Sequence, residues 1–368
     1  MAIVERRSWW WTWLQVSGVG IGRLKQLEQA FGSLQAAWWA PAEQLLAVPG
    51  VGPSLLAGRD QLQRNVSALP LPVPSRVLLP SDPAMPAALM ALPQPPASLF
   101  WRGRGALWPL LRRQQAIAVI GSRRASPYGC SWAHRLGSAL AAAGWPVISG
   151  LAEGVDAQAH QGCLEAGGTP IAVLGTSLER VYPRHHQRLQ GQVGQRGLLI
   201  SEQAPGAAGI RGAFAKRNRL LVALAQAVVL VECPQRSGAL LAAQIAWSLQ
   251  RPLWVVPADS DRQSAAGSNG WLNRGATALL DPAQLVEALG PGPLHALERP
   301  QPPAQSPLLS ALGSGASFEA LQLRMQLSAG DLAQQLLRHE QQGSVEALPG
   351  LLWRPRHTDT DVPLAQQP

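Results

Sequence analysis

The sequence predicts an α/β protein built on a doubly wound, mostly parallel sheet, with a helical domain before it and a winged-helix-like domain after it. Three observations predict this class. Short apolar segments alternate with helix-like segments through the middle of the chain, both ends carry helical patterns, and proline-rich stretches separate the parts. With 368 residues, 46% of them hydrophobic, the chain is long enough for several packed domains.

The predicted strands of the middle region are apolar on both faces, which is typical of strands buried in a parallel sheet. They lie at residues 116–120, 146–149, 169–174, 198–201, 227–231 and 253–257. The helix-like runs between them lie at residues 131–143, 155–166, 184–196 and 239–249. Ligands of such sheets bind beyond the carboxyl ends of the strands, near the switch in strand order. The loops that follow the strands are therefore the candidate sites.

Composition divides the chain into parts. We expect a helical domain over 1–66, a proline-rich connecting segment over 67–109, the sheet-based core over 110–291, a linker over 292–307, a winged-helix-like domain over 308–356 and a disordered tail over 357–368. The first domain contains two turns, Val16-Ser-Gly-Val-Gly20 and Val48-Pro-Gly-Val-Gly52, that resemble those of helix-hairpin-helix or SAM-like modules. Tight turns that only pack a small bundle are an equally good interpretation.

Charge and cysteine content limit the partners and the compartment. The formal net charge is +9, which favours a polyanionic partner. The three cysteines lie far apart with no C-x-x-C pair, so we expect no disulfide framework, no zinc site and a reducing cytoplasm. Twin arginines precede the tryptophans at 9–11 and 13, but we do not expect them to form an export signal. We expect no membrane partner, because no apolar run is long enough to span a bilayer.

The loop Gly121-Ser-Arg-Arg124 follows the first core strand and precedes a helix-like run. A glycine turn at a helix start presents N–H groups and the positive end of the helix dipole to an anion. Arg123 and Arg124 would add donors suited to a phosphate, and Ser122 lies between them and the glycine. The loop lacks both the G-x-G-x-x-G pattern and a Gly-Lys-Ser/Thr ending. Nicotinamide cofactors and nucleoside triphosphates are therefore disfavoured, and no cofactor is expected.

The segment Phe214-Ala-Lys-Arg-Asn-Arg219 places three cations and an amide beside an aromatic ring. The ring of Phe214 could stack on a base while Lys216, Arg217 and Arg219 contact phosphates, with Asn218 beside them. A solvated helix start, with Phe214 in the core and Arg217 in an internal ion pair, is an equally good interpretation. For Asn218 we favour a structural role in the loop.

Two further groups could carry chemistry. Glu153, Asp156 and His160 could share a helix face and form a metal or acid–base site, but no second ligand cluster is nearby, so no metal is predicted. Ser237 and Gly238 could supply a nucleophile or another anion loop. Because no G-x-S-x-G motif accompanies them, no catalytic residue is predicted.

A set of motifs, in order along the chain, resembles the DNA-processing protein A family (DprA, also called Smf). The motifs lie at residues 121–124 with 126–129, 149–156 with 159–160, 182–183, 201–202, 214–219, 232 with 237–238, and 275–276. The resemblance implies an extended Rossmann-like core that binds and protects single-stranded DNA and forms a homodimer. It also implies loading of a RecA-type recombinase during natural transformation, and we therefore expect a protein that is not an enzyme. By motif position, the resemblance implies that Arg123, Phe214, Lys216 and Arg217 line the DNA path. With the residues of the loops described above, the full predicted set of DNA- and phosphate-contacting residues is Gly121, Ser122, Arg123, Arg124, Gly150, Phe214, Lys216, Arg217, Asn218, Arg219, Ser237 and Gly238.

Two other functions remain open from the sequence. The first is a nucleotide phosphoribohydrolase of the lysine-decarboxylase-like group, although residues 236–241 lack the Pro-Gly-Gly-x-Gly-Thr loop of that group. The second is an adaptor that docks through its winged-helix-like domain. The predicted second long helix of that domain carries Arg338 and little other positive charge, so contact with protein is as consistent as contact with DNA.

Overall fold

The chain is described by a computed structural model over residues 3–207, 212–298, 307–341, 344–348, 350 and 352–355. It divides into two compact units, Met1–His295 and Ala296–Pro368. The first unit begins with helices α1 (Ile3–Leu14), α2 (Ile21–Phe31), α3 (Leu34–Trp39), α4 (Ala42–Leu46) and α5 (Pro53–Asn65). The indoles of Trp9 and Trp13 pack against Trp38, with ring centroids 5.9 and 4.8 Å away, so aromatic side chains form the centre of this helical part.

The two glycine turns of the helical part lie close together. Gly18 and Gly50 each have a φ of 79°, a conformation that favours glycine. The guanidinium of Arg23 donates to the carbonyl oxygens of both, with 2.8 Å between its Nε and the oxygen of Gly50. Arg23 therefore connects the turns, and the assignment to helix-hairpin-helix modules stays a prediction.

The centre of the first unit is a sheet, to which the described residues contribute nine strands. The strands are β1 (Val77–Leu78), β2 (Leu99–Gly103), β3 (Ile117–Ile120), β4 (Val147–Ser149), β5 (Pro170–Leu174), β6 (Leu198–Ser201), β7 (Ala227–Leu230), β8 (Leu253–Val255) and β9 (Thr277–Ala278). Their order is β1-β2-β6-β5-β4-β3-β7-β8-β9. All neighbours from β6 to β9 are parallel, whereas β2 is antiparallel to β1 and β6. The predicted doubly wound, mostly parallel, Rossmann-like sheet is confirmed.

The strand order places a switch at the centre of the sheet. From β3 the chain builds outward through β4, β5 and β6, and it then returns to place β7 on the other side of β3. Ile117 pairs with Val147 on one side and with Ala227 on the other. The loops after β3 and β7 therefore diverge, and a crevice opens between them at the carboxyl ends of these strands.

Each of the six predicted strands is present, with ends that differ by at most two residues. The structure adds β1 and β2 within the segment predicted to be an irregular connection, and β9 near the end of the core. The prolines around β1 and β2 cannot donate to a ladder, so these strands are short and lie at one edge of the sheet. The segment 67–109 therefore contributes two strands to the core sheet.

Helices cover the sheet and set the positions of its loops. They are α6 (Ala87–Met90), α7 (Trp108–Arg112), α8 (Pro127–Ala142), α9 (Val155–Glu165), α10 (Gln187–Arg196), α11 (Ala213–Ala223), α12 (Gly238–Ser248), α13 (Ala266–Leu272), α14 (Pro282–Leu289) and α15 (Pro293–Glu298). Helices α8 and α9 approach closely, because Gly137 on α8 faces the backbone of α9 and the hydroxyl of Ser138 donates to the carbonyl oxygen of Gly162 at 3.1 Å. Helix α15 lies within the predicted linker, and residues 299–306 of that linker lie outside the described residues.

The second unit has its own small core. Its elements are α16 (Pro307–Leu312), β10 (Ala316–Ser317), α17 (Phe318–Met325), α18 (Ala329–Gln341), β11 (Val345–Leu348) and β12 (Leu352–Pro355). The strands form an antiparallel sheet in the order β10-β12-β11. Leucines from α16, α17 and α18 form its buried centre. The element order is the expected one, the winged-helix assignment stays a prediction, and the predicted disordered tail lies outside the described residues.

Two general expectations can be compared with the structure. Within the described part of the chain, no helix combines the length and the apolar character that crossing a bilayer requires. Cys130, Cys163 and Cys233 are free thiols. Burial raises the pKa of Cys163 and of Cys233 to about 12, so both stay protonated at neutral pH.

Candidate nucleic-acid interface

A cleft of about 610 Å³ opens at the switch point of the sheet. The loops after β3 and β7 form two of its walls, α11 forms a third, and Ala152 and Asp156 from the loop and helix after β4 complete the lining. Of the predicted site residues it brings together nine, which are Gly121, Ser122, Arg123, Arg124, Phe214, Arg217, Asn218, Ser237 and Gly238. Gly150, Lys216 and Arg219 lie outside this lining.

The N-terminus of α8 beside the cleft is already occupied by a carboxylate of the protein. Ser126 caps the helix by accepting from the N–H of Gly129 at 3.2 Å, and its own hydroxyl donates to an oxygen of Glu232 at 2.7 Å. The N–H of Ser126 points at both oxygens of this fully buried carboxylate, each at 3.3 Å. Glu232 therefore occupies the N–H and the hydroxyl of the capping residue, and the anion site expected at the loop before this helix stays a prediction.

The loop after β3 consequently offers side chains to a ligand. The N–H of Ser122 donates to the carbonyl oxygen of Glu232 at 2.7 Å, and the N–H of Arg124 donates to the hydroxyl of Ser122 at 3.1 Å. The side chains of Arg123 and Arg124 are exposed, and neither makes an ion pair with any described residue. Two unpaired guanidinium groups therefore face the solvent at the edge of the cleft.

An aromatic pair holds one of these guanidinium groups in place. The ζ carbon of Arg123 lies 4.8 Å from the ring centroid of Phe214 and 5.8 Å from that of Tyr182. The two rings are themselves 4.9 Å apart, and Tyr182 is 45% exposed. Stacking on an aromatic face leaves the donors at the edge of a guanidinium free for a phosphate. The site thus combines an oriented cation with an exposed ring.

The basic segment contributes unequally to the cleft. Phe214 is half-buried and lines the cleft, whereas the side chain of Lys216 is exposed but outside the lining. Asn218 donates from its amide to the carbonyl oxygen of Gly238 at 3.1 Å, which ties α11 to the start of α12. Arg219 makes a bidentate ion pair with Glu202, at 2.6 and 2.7 Å, and also donates to a backbone oxygen. Arg219, rather than Arg217, is thus the internally paired cation of the segment.

Arg217 forms the buried floor of the cleft. It is only 5% exposed, and its Nη1 donates to the carbonyl oxygen of Val173 at 2.6 Å, while its Nε has no partner among the described groups. The guanidinium fills the space beside Gly150, where a Cβ would lie 1.7 Å from Nη1. Gly150 therefore makes room for Arg217.

Asp156 is a buried carboxyl group whose charge acts on this buried cation. Its Oδ2 accepts from the N–H of Gly150 at 3.1 Å. Burial raises the pKa of Asp156, and the positive charge of Arg217 opposes that rise. Burial lowers the pKa of Arg217, since it disfavours the charged form of a cation as well, and the negative charge of Asp156 raises it. The Asp156 carboxylate and the Arg217 guanidinium form no ion pair in the described part of the chain, which means that their charged atoms lie more than 4 Å apart.

The alternative metal or acid–base site does not assemble from Glu153, Asp156 and His160. The carboxylate of Glu153 is half exposed and pairs with His185 at 3.5 Å, whereas His160 is fully buried. Both ring nitrogens of His160 lack partners among the described groups. In the described part of the chain, no three acidic, histidine or cysteine side chains converge on a point where they could hold a metal ion.

His160 should make the stability of the protein depend on pH. Burial lowers its pKa from 6.5 to about 3, and the positive charge of Arg217 and the ring of His186 act in the same direction. Below pH 6.5 this histidine binds a proton in the unfolded chain but stays neutral in the folded chain. The free energy of unfolding should therefore fall on acidification, and this group contributes up to about 1.4 kcal/mol per pH unit to the fall. Urea unfolding curves between pH 7.5 and pH 5, followed by tryptophan fluorescence, measure this slope.

The matched variant is His160→Leu, which fills a similar volume and cannot titrate. Because the ring nitrogens make no hydrogen bond, this variant should keep most of its stability at neutral pH and show a shallower slope. Equal slopes for the two proteins would show that another group titrates.

The loop after β7 completes the cleft with a capping serine. The hydroxyl of Ser237 accepts from the N–H of Ala239 at 3.2 Å and caps α12, which accounts for this serine without catalysis. Sequence reasoning noted Arg236 and Tyr182 but did not select them as site residues. Arg236 is exposed on the lining, and Tyr182 stacks with Phe214. Their positions in the loops that follow β7 and β5 were the available signal.

The fold and the cleft together define a Rossmann-like protein with an unpaired basic and aromatic surface at the switch point of its sheet. The profile of one family, DNA recombination-mediator protein A, matches residues 76–290. Protein Smf of Synechocystis sp. is 34% identical over 295 residues, 79% of this chain and 74% of its own. Protein Smf of Escherichia coli is 32% identical over 292 residues, 75% of this chain and 77% of its own.

Two solved structures have the same fold. DprA of Streptococcus pneumoniae has a TM-score of 0.64 at 25% identity, over 78% of this chain and 98% of its own. A structure of DprA from Helicobacter pylori, described as showing a single-stranded DNA binding mode, has a TM-score of 0.51 at 31% identity, over 56% of this chain and 92% of its own. The chain belongs to the DNA recombination-mediator protein A (DprA/Smf) family. Its role lies in DNA processing in recombination.

Proposed function

We propose that the chain binds single-stranded DNA in the switch-point cleft and acts as a mediator of recombination without catalysing a reaction. The observation that carries the proposal is the guanidinium of Arg123, exposed and 4.8 Å from the ring of Phe214. Beside this cation, the ring of Tyr182 is exposed and packs on Phe214, and an oriented cation next to an exposed ring suits a strand whose phosphates and unpaired bases are both accessible.

The surroundings of the cleft support this ligand over smaller ones. Arg124 and Arg236 are exposed on the lining and unpaired among the described residues, so positive charge is spread along the cleft. The only carboxyl among the described lining residues belongs to Asp156, which is buried. The H. pylori relative, whose description names single-stranded DNA, has the same fold.

The deciding measurement is fluorescence anisotropy with matched single- and double-stranded oligonucleotides over a salt series. We expect tighter binding of the single strand, little dependence on sequence, and a steep fall in affinity as salt rises. Equal affinity for both forms across the series, or no binding of the single strand at low salt, would exclude the proposal.

The wider role we propose is protection of incoming strands and loading of a RecA-type recombinase during natural transformation, by a homodimer in the cytoplasm. Membership of the family supports this role. Recombinase filament formation on strands coated with single-strand-binding protein should accelerate when the chain is added, and removal of residues 296–368 shows whether the second unit is needed. The absence of released base from purine monophosphates would separate this role from that of a phosphoribohydrolase.

A further inference from the structure

We infer that the bound strand leaves the cleft over Tyr182, passes Arg184 and continues into a second groove between α9 and α10, and that Arg184 before the groove and Arg188 within it contact its phosphates. This inference rests on the proposed function, because it assigns a further part of the same ligand to a separate surface. The residues concerned lie outside the predicted DNA-contacting set.

Tyr182 and the loop after β4 connect the two surfaces. The ring of Tyr182 belongs to the cleft, at 4.9 Å from Phe214, and Arg184 follows two residues later at the start of a 3₁₀ turn, Arg184–His186. His185 in that turn pairs with Glu153 at 3.5 Å. The start of α9, two residues after Glu153, contacts the loop after β3, because the N–H of Val155 donates to the carbonyl oxygen of Ser122 at 3.2 Å.

The second groove is lined more by polar than by apolar groups, and it offers several hydrogen-bond donors. It has a volume of about 650 Å³. The side-chain amides of Gln158, Gln161 and Gln192 line it, and they make no hydrogen bond with any described group. Arg188 and Arg196 also line it. Amides and guanidinium groups can contact phosphates and base edges of any sequence, which suits a polynucleotide better than an apolar ligand.

Two positive charges on this route have no ion-pair partner, and the carboxylate of Glu153 beside them is paired with His185. Arg184 and Arg188 are exposed and form no ion pair with the described residues. The single carboxylate among the described lining residues is that of Glu165, which His134 approaches at 2.8 Å. Arg184 follows Tyr182 by two residues and lies outside the lining of the groove, whereas Arg188, four residues further on, lies on that lining, so the two arginines follow one another along the route. They can therefore contact successive phosphates of one strand.

The test compares short and long oligothymidylates, of about 6 and about 20 nucleotides, in the full chain with Arg184→Gln and Arg188→Gln combined. We expect the double variant to bind the short strand as the parent does, because the cleft is unchanged. For the long strand we expect a loss of about tenfold in affinity and a decrease of about 2 in the salt slope.

The matched control is Arg112→Gln with Arg113→Gln, which removes two exposed and unpaired arginines ahead of β3, at the opposite end of that strand from the cleft. It should keep the parental affinities for both strands. Because this control removes the same net charge and is measured on the same strands, it controls for the lost charge and for the larger number of positions at which the protein can bind a long strand. The inference is overturned if the Arg184/Arg188 variant keeps the parental affinity for the long strand. Failure of the parent to bind even the short strand would instead reject the proposed function, and the inference with it.

Discussion

Replacing Arg123 with glutamine should weaken single-strand binding by about 10- to 100-fold, the largest functional loss that we expect from one exposed substitution in this chain. The guanidinium is unpaired and fixed over Phe214 and Tyr182, so the variant loses a phosphate contact and an oriented donor set together. The salt slope should decrease by about 1, because one fewer phosphate is neutralised. Anisotropy with one oligonucleotide over a salt series measures both quantities.

Related variants separate charge from geometry. Arg123→Lys keeps the charge and loses the planar fork, so it should recover only part of the affinity. Lys216→Gln should produce a smaller loss, since Lys216 is exposed but outside the cleft lining. Arg112→Gln should have little effect. If Arg123→Gln binds as tightly as Arg112→Gln at low and moderate salt, the cleft is not the DNA site.

Replacing Gly137 with alanine should lower the free energy of unfolding by about 3 kcal/mol or more, the largest stability loss that we expect from adding one methyl group. The new Cβ would lie 2.1 Å from the carbonyl oxygen of Ala159 and 2.9 Å from the N–H nitrogen of Cys163. Both atoms belong to the backbone of α9, so relief requires α8 and α9 to separate. Urea unfolding followed by tryptophan fluorescence measures the change.

The matched control is Gly191→Ala on α10, where nothing lies within 4 Å of the added Cβ. There alanine should stabilise the helix by about 0.5–1 kcal/mol, because glycine disfavours the helical state. Opposite signs for the two substitutions would identify helix contact as the cause. A Gly137 variant as stable as the parent would mean that α8 and α9 do not pack this closely in solution.

The parallel part of the fold could be predicted from the sequence because its strands are continuous apolar runs. Leu198–Ser201 has the predicted ends, and the other core strands differ from prediction only near their ends. Leu99–Gly103 was missed because prolines precede it and because its partner, β6, is about a hundred residues away in sequence. Local pattern carries no information about such a pairing.

The site was predictable in position but not in its internal pairing. The switch-point rule made every loop after a predicted strand a candidate, and those after β3 and β7 line the cleft. It could not show that Glu232 reaches Ser126 across 106 residues, or that Glu202 neutralises Arg219. Each of these contacts depends on which charged group folding brings within hydrogen-bond distance. A count of cations therefore overestimates how many are free for a ligand.

The carboxylate of Glu232 at the start of α8 has a consequence for how a strand would be released. Rigid backbone amides hold a phosphate through several bonds that must break together, whereas separate side chains on a loop can let go one at a time. A strand held by Arg123, Arg124 and Arg236 can thus exchange its contacts stepwise, as proteins do when they slide on DNA. Under the proposed role in recombinase loading, a growing filament would displace this chain from the strand one contact at a time, without waiting for complete dissociation.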